Sequence, residues 1–359
     1  MKPTPLTLRK KLALELWHRQ EAMMRSEHQL RQLFWECTLR CNLHCRHCGS
    51  DCRVMAGCQD MPKEDFFKVL DSVATRLHPQ DVFVVVSGGE PLMRDDLEEC
   101  GTGIWKRGFP WGMVTNGLLL NKQRLAGLLK AGMHSVTISL DGLAEDHNWM
   151  RGNEQSFLHV DEAIGLLVKI PGYTFDIVTC VTRRNYPHLN ALRDYLIDRG
   201  VGRWRLFTVF PAGRAISNRE MRLTPNEMRG LMDFIRETRK QGRIRADYGC
   251  EGFLGNYEGE VRDHFFTCQA GVSIGSVLID GSISACTSIR SDYRQGNIYE
   301  DDFMDVWEQR FDSYRNREWM KRDDCASCHY FRYCLGNGMH LRDNEGRLLF
   351  CNLKAMNQE

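Results

Sequence analysis

The chain has 359 residues, and its 48 Lys+Arg against 47 Asp+Glu leave a formal net charge of +1. That balance excludes a dedicated nucleic-acid surface and a disordered acidic tail, and 42% hydrophobic residues suits a globular protein with room for a barrel and a smaller domain. The longest strongly apolar run, residues 82–86, is far too short to cross a bilayer, and Met1-Lys-Pro-Thr-Pro-Leu6 lacks the apolar stretch of a signal peptide.

In chain order, residues 6–30 read as a helix with Leu8, Leu12 and Leu16 on one face, Trp17 beside them, and Arg9, Lys10, Lys11 and Arg19 making a basic face. Such a helix can lie on a membrane surface or grip a partner; packing against its own domain is the commoner use and the expectation. Strand-like runs follow at 33–37, 82–86, 112–115, 135–140, 175–181 and 203–210, separated by helical stretches at 63–77, 97–106, 122–131, 157–169 and 188–199. Strands alternating with helices mean βα units and a parallel α/β sheet, and six strands are too few for a complete eight-stranded barrel. Residues 223–239 form a helix with a clear start: Thr224 as N-cap, Pro225 at N1 and Glu227 at N3. Less periodic, Gly-rich sequence from 242 to 259 puts a domain boundary near residue 240. The expected division is an N-terminal helix at 1–32, a barrel at 33–240 and a second domain at 241–359.

The 15 cysteines stand out. Without a secretion signal they indicate a reducing cytoplasm and metal rather than disulfides. Cys41, Cys45 and Cys48 have the spacing CxxxCxxC in Cys41-Asn-Leu-His-Cys45-Arg-His-Cys48. Three thiolates on so short a loop can hold an iron–sulfur cluster with one iron open, or a zinc ion completed by His44 or His47. The open-cluster reading resembles the radical S-adenosylmethionine (radical SAM) enzymes. The resemblance implies a partial (β/α)6 TIM-type barrel. It also implies a [4Fe–4S] cluster whose open iron binds SAM and whose electron releases a 5′-deoxyadenosyl radical. His47 fills the position of an aromatic residue near the adenine. Ser87-Gly88-Gly89-Glu90-Pro91 after the second strand matches the family's GGE motif, which implies that Gly88, Gly89 and Glu90 meet the methionyl amino group. Thr115-Asn116-Gly117 ends the third strand as in many members, or is a plain Asn-Gly turn. Ser139 and Asp141 at the fourth strand end are placed for ribose or methionyl carboxylate. Arg151 either pairs with that carboxylate or is a solvated surface arginine. Pro211-Ala-Gly213-Arg214 after the sixth strand also looks family-like.

The C-terminal cysteines resemble the SPASM domain, which carries auxiliary clusters in many radical SAM maturases. Cys268-x12-Gly281-x4-Cys286 is followed by Cys325, Cys328, Cys334 and Cys351. The resemblance implies a complete four-thiolate cluster on the last four and part of a second on Cys268 and Cys286, hence one or two auxiliary [4Fe–4S] clusters. The remaining family cysteine belongs at position 338, which is Gly338; His340 and Cys250 are candidate replacements. Cys100 and Cys180 read as core residues, Cys37 fits no metal pattern, and Cys52 and Cys58 stay open. As a class, SPASM enzymes mostly modify peptides or proteins, which implies a peptide or protein substrate, an electron donor such as flavodoxin or ferredoxin, and no nucleic acid. Membrane contact would come only through the N-terminal helix or a lipoprotein partner. Alternatives are chemistry on a small-molecule cofactor precursor and sulfatase maturation. The latter is weakened because Thr287, not Asp, follows Cys286. A zinc-scaffolded binding protein is the non-enzymatic alternative.

Overall fold

The computed structural model describes residues 6–50, 52, 57–216, 218–249 and 252–357. Helix α1 (Leu8–Glu27) leads into the βα series: β1 (Gln32–Glu36), α2 (Lys63–Ala74), β2 (Phe83–Ser87), α3 (Leu97–Lys106), β3 (Trp111–Thr115), α4 (Lys122–Lys130) and β4 (Met133–Ser139). The series continues through α5 (Ala144–Arg151), α6 (Ser156–Leu167), β5 (Thr174–Val181), α7 (Leu189–Asp198), β6 (Arg203–Thr208), α8 (Pro225–Gln241) and β7 (Arg245–Tyr248). Three short strands follow, β8 (Ile274–Val277), β9 (Ser282–Ser284) and β10 (Gly296–Asn297). Small helices α9 (Phe303–Gln309), α10 (Asp312–Arg315), α11 (Phe331–Cys334) and α12 (Asn352–Asn357) complete the chain.

All ten strands join one sheet in the order β10-β9-β8-β1-β2-β3-β4-β5-β6-β7. Strands β1 to β7 run parallel to their neighbours, so the loops that leave their C-terminal ends gather at one end of the sheet. The six strands expected from the sequence are joined by a seventh parallel strand beyond residue 240. With only four residues, of which Ala246 and Tyr248 are buried, β7 is too short to show a pattern. On the opposite edge β8 pairs in parallel with β1, so the sheet runs through both flanks of the composition change. Beside this seam, Glu36 at the end of β1 is only 2% exposed. Its carboxylate accepts hydrogen bonds from Arg290 at 3.0 Å and from the Ile279 amide at 3.2 Å.

Helix α8 starts as its sequence directs: the Thr224 hydroxyl accepts from the Glu227 amide at 3.2 Å, and the Glu227 carboxylate accepts from the Thr224 amide at 2.6 Å. Helix α1 departs from the leucine-face pattern. Leu8, Leu12, Leu16 and Met23 are 75%, 60%, 67% and 62% exposed, so the stripe points to solvent. The inward face carries Leu14, Trp17, Glu21 and Arg25 instead. Trp17 Nε1 donates to Thr267 Oγ1 at 3.1 Å, and buried Glu21 takes Arg25 as its partner one turn on, at 2.5 Å. A tryptophan that is both anchored and packed beside Phe265 outweighs three leucines on the other side.

Trp35 anchors the core at β1. It is fully buried, stacked on Phe66 of α2 at 4.4 Å between ring centroids, with Nε1 on the Met61 sulfur at 3.2 Å. Trp35→Ala is expected to cost about 3–5 kcal/mol, read as a lowered denaturation midpoint, and Trp35→Phe to keep most of that stability. Equal midpoints for wild type and the Ala variant would remove Trp35 as the anchor.

Candidate active site

Cys41, Cys45 and Cys48 lie on the loop between β1 and α2, at the end of the sheet where the parallel strands finish. Cys41 and Cys45 are buried and Cys48 half-buried, in one cluster with Leu39, Leu43, Leu118 and Cys52. Burial pushes the Cys41 thiol up to about 12 and raises Cys45, whereas a hydrogen bond from Cys52 lowers Cys48. Bound iron would reverse the effect of burial, because metal binding takes the thiol as thiolate. Two donors already face the sulfurs: Arg151 Nη1 lies 3.6 Å from Cys45 Sγ and Asn116 Nδ2 lies 4.0 Å from Cys41 Sγ. The buried Nδ2 of Asn42 and Nδ1 of His47 have no hydrogen-bond partner among the described residues. Such a donor set fits a thiolate-held cluster with a polar ligand beside it.

Gly88 and Gly89 approach chain, not open space. A Cβ on Gly88 would sit 2.2 Å from the Thr38 carbonyl oxygen, and one on Gly89 2.3 Å from that of Arg40. Gly88 also has φ +145°, a conformation that side chains resist. Backbone bonds Gly89 N–H to Thr38 O (2.7 Å) and Glu90 N–H to Arg40 O (2.8 Å) tie the motif to the cysteine loop. Glu90 is fully buried. One carboxylate oxygen accepts from Thr115 Oγ1 at 2.7 Å and the Leu92 amide at 3.1 Å, the other from the Asn116 amide at 2.7 Å. Burial raises its pKa while these three donors act the other way. The Asn116 side chain donates to Asn42 Oδ1 at 2.8 Å, joining the end of β3 to the loop.

Beyond β4, half-buried Ser139 precedes the wholly buried Asp141. Asp141 accepts from the Cys180 amide at 2.9 Å and pairs with Arg151 Nε at 2.7 Å. Burial opposes its ionisation, but opposing charge, that of the Arg151 guanidinium foremost, keeps the carboxyl below its ordinary value. Arg151 is 7% exposed, so it is no solvated surface arginine. His44 is exposed, and His47 groups with Asp141 and Cys180 within 4.8 Å. Burial drops His47 to about 4, which leaves it neutral.

Several residues here were missed by motif reading. His147 Nδ1 accepts the Asp141 amide hydrogen at 3.0 Å, so Nε2 carries the proton and donates to Ser156 Oγ at 2.9 Å. Its place one turn before Arg151 on α5 was a readable signal. Asn185 Nδ2 donates to the carbonyls of Asp141 at 2.5 Å and Cys180 at 2.9 Å. Arg214, by contrast, stood in the family-like Pro211-Ala-Gly213-Arg214 run; it clamps the cysteine loop through Nε to Cys45 O (2.7 Å) and its amide to Cys48 O (3.0 Å). Cys180, expected in the core, is half-buried beside His47 and Asp141; Cys100 and Cys37 are fully buried in the core, and Cys58 is exposed.

In the C-terminal region Cys325, Cys328, Cys334 and Cys351 all line one cavity of about 1220 Å³. Burial, then the charges of the other three, raises Cys334, as expected of four thiols that share one site. Cys268 and Cys286 are half-buried, and Cys286 feels the charge of Cys268. Burial acts against the Cys268 thiolate, but Arg317 and the amides of Met339 and Ala270 set it below its ordinary value; burial raises Cys286. Gly338 has no side chain to add, and Cys250 lies outside the described residues.

Residues 35–196 match the radical SAM superfamily, and residues 268–329 match SPASM, an iron–sulfur cluster-binding domain. The chain is 27% identical over 326 residues to the AdoMet-dependent heme synthase of Methanosarcina barkeri (strain Fusaro / DSM 804), a match covering 85% of this chain and 90% of that protein. It is 29% identical over 324 residues to the mycofactocin maturase MftC of Mycolicibacterium smegmatis (strain ATCC 700084 / mc(2)155), covering 86% and 77%. Native anSMEcpe with bound AdoMet and Cp18Cys peptide has the same fold, with a TM-score of 0.70 at 20% identity over 92% of this chain and 95% of that one. With its cysteine loop, strand-end motifs and C-terminal thiol sites, this chain belongs to the radical SAM superfamily and is a SPASM-type radical SAM enzyme that uses SAM and [4Fe–4S] clusters.

Proposed function

We propose that the enzyme modifies a peptide or protein by radical chemistry, with Cys41, Cys45 and Cys48 holding the SAM-binding cluster. A cluster held there would supply the electron that cleaves bound SAM reductively, the chemistry that yields a 5′-deoxyadenosyl radical able to take a hydrogen atom from substrate. The chain's own part is to hold SAM in one pose. A carboxylate offers about four lone-pair sites, and three donors occupy those of Glu90, which leaves one for the methionyl ammonium. Gly88 and Gly89 fix that carboxylate by packing on the cysteine loop. Asn116, Ser139 and Asp141 take the ribose and methionyl carboxylate side, Arg151 adds charge there, and His47 lies by the adenine. Cys325, Cys328, Cys334 and Cys351 hold an auxiliary cluster that passes electrons, supplied by a donor such as flavodoxin or ferredoxin. None of the fourteen described cysteines is in a disulfide, and no described helix is long and apolar enough to cross a membrane.

The observation that carries the substrate class is the outward face of α1. Leu8, Leu12, Leu16 and Met23 are exposed there together with Arg9, Lys11 and Arg19. An apolar stripe beside cations fits an amphipathic, acidic stretch of polypeptide and is of no use to a small substrate. The mycofactocin maturase and the peptide-bound anSMEcpe support this reading. The heme synthase relative supports a second, in which the substrate is a tetrapyrrole precursor. Anaerobic, reduced enzyme given SAM and a peptide encoded beside its gene is expected to change the mass of the peptide. The same enzyme is expected to leave an iron porphyrin unmodified. A porphyrin product with unchanged peptide would overturn the peptide reading.

Two variants probe the SAM site. Cys45→Ala is expected to form no 5′-deoxyadenosine after anaerobic reconstitution, and persistent cleavage would sink the cluster assignment. Glu90→Gln places an amide against three N–H or O–H donors and removes the charge that faces the ammonium. A charge-assisted hydrogen bond is worth about 1.5–3 kcal/mol, so SAM affinity should fall roughly ten- to a hundredfold at unchanged iron content. Normal SAM binding by this variant would make Glu90 a strand-end brace only.

A further inference from the structure

Cys268 and Cys286 are too few to hold a cluster by themselves, and the chain has no cysteine between residues 335 and 350. The segment 337–340 is nevertheless held against them. One guanidinium, Arg317, donates to the Asn337 carbonyl at 3.0 Å and to the Cys268 carbonyl at 3.2 Å. The Met339 amide bonds to the Cys268 thiol. Gly338 has an ordinary φ of −68°, so its backbone does not demand glycine. What occupies its side-chain space is the His340 ring. A Cβ on residue 338 would lie 2.7 Å from Cε1 and 2.9 Å from Nδ1 of that imidazole.

We propose that His340 is a protein ligand to iron at the Cys268/Cys286 site, its imidazole standing where a side chain on residue 338 would project. Two further facts agree. The ring has no hydrogen-bond or ion-pair partner among the described residues, which leaves its nitrogens available. Phe210 meets the ring edge-on, at 5.0 Å and 69°, and packs 3.4 Å from the place of a Cβ on Gly49, the residue after Cys48. The ring is thereby braced from the barrel side in one orientation. Histidine replaces thiolate in other iron–sulfur centres and raises their potential.

The inference rests on the SPASM region holding iron at Cys268 and Cys286, independently of the substrate. The full chain is reconstituted anaerobically as wild type, His340→Ala, His340→Cys and Cys268→Ala/Cys286→Ala. All four are made with ¹⁴N- or ¹⁵N-histidine, reduced, and read by pulsed EPR and iron analysis. Wild type is expected to show a histidine-nitrogen coupling that changes with the isotope and is absent from His340→Ala and from the double-cysteine variant. The double-cysteine variant should lose about four irons per chain, and His340→Cys should keep its iron without the nitrogen signal. Equal iron in wild type and the double-cysteine variant would mean that the site holds none. A nitrogen coupling that persists in His340→Ala, or is missing from wild type that does hold the iron, would mean that His340 is not the ligand. A melting curve of His340→Ala like that of wild type ties the spectral loss to the ligand rather than to unfolding.

Discussion

Two backbone hydrogen bonds hold the cysteine loop to the sheet: Gly89 N–H to Thr38 O and Glu90 N–H to Arg40 O. They form only because residues 88 and 89 lack side chains, since a Cβ on either would meet a carbonyl oxygen at 2.2 or 2.3 Å. The glycines therefore act first on the protein itself. Once the two backbones are docked, Glu90 is carried to the base of the site, where it bonds to Thr115 and Asn116. Asn116 in turn reaches back to Asn42 on the cysteine loop. The circuit β2–β3–loop closes on itself, and each member restricts the next.

A second circuit holds the loop from the far side of the sheet. Arg151 lies between the Asp141 carboxylate and the Cys45 sulfur, and all three are buried. Buried ion pairs contribute little net stability against an apolar replacement, but removal of one partner leaves a charge stranded at a cost of about 3–5 kcal/mol. The pair is better understood as orientation. Asp141 is fixed by Cys180, and its backbone by His147 and Asn185, so the guanidinium has one place to be. Arg214 performs the corresponding task after β6, where Gly213 lets the chain pass within reach of the Cys48 and Gly49 carbonyls. The cysteine loop, which has no regular structure of its own, is thus immobilised by four strand ends.

What was legible in the sequence was local. Runs such as Phe83–Ser87 alternate buried and half-buried positions, and Thr224 and Glu227 mark a helix start within four residues. The motifs at strand ends are contiguous, so their meeting at one end followed from a parallel sheet alone. What escaped depended on distant partners. Trp17 selects the inward face of α1 through Thr267, 250 residues away. β7 and β8 are four residues each and take their identity from β6 and β1, not from any pattern of their own. Cys180 looked like a core residue because its strand is apolar; the pleat that buries Thr179 and Val181 turns Cys180 to the site.

The C-terminal region is bound to the barrel at the places where its thiols matter. Strand β8 continues the sheet beside β1, the strand that leads into the cysteine loop. Arg290, four residues past Cys286, pairs with buried Glu36 and donates to Ser50, two residues past Cys48. Phe210 touches His340 on one side and lies against Gly49 on the other. Sheet, ion pair and aromatic contact all join the surroundings of Cys268 and Cys286 to the surroundings of Cys48, whereas the cavity of Cys325, Cys328, Cys334 and Cys351 is lined by Leu6 and Lys11 at the start of α1. The two C-terminal thiol sites consequently have different neighbours. One is mechanically coupled to the cysteine loop, and the other lies beside the helix whose leucines face solvent. A change of charge at the first is felt by groups that contact the cysteine loop directly. A change at the second must reach that loop through the packing between them.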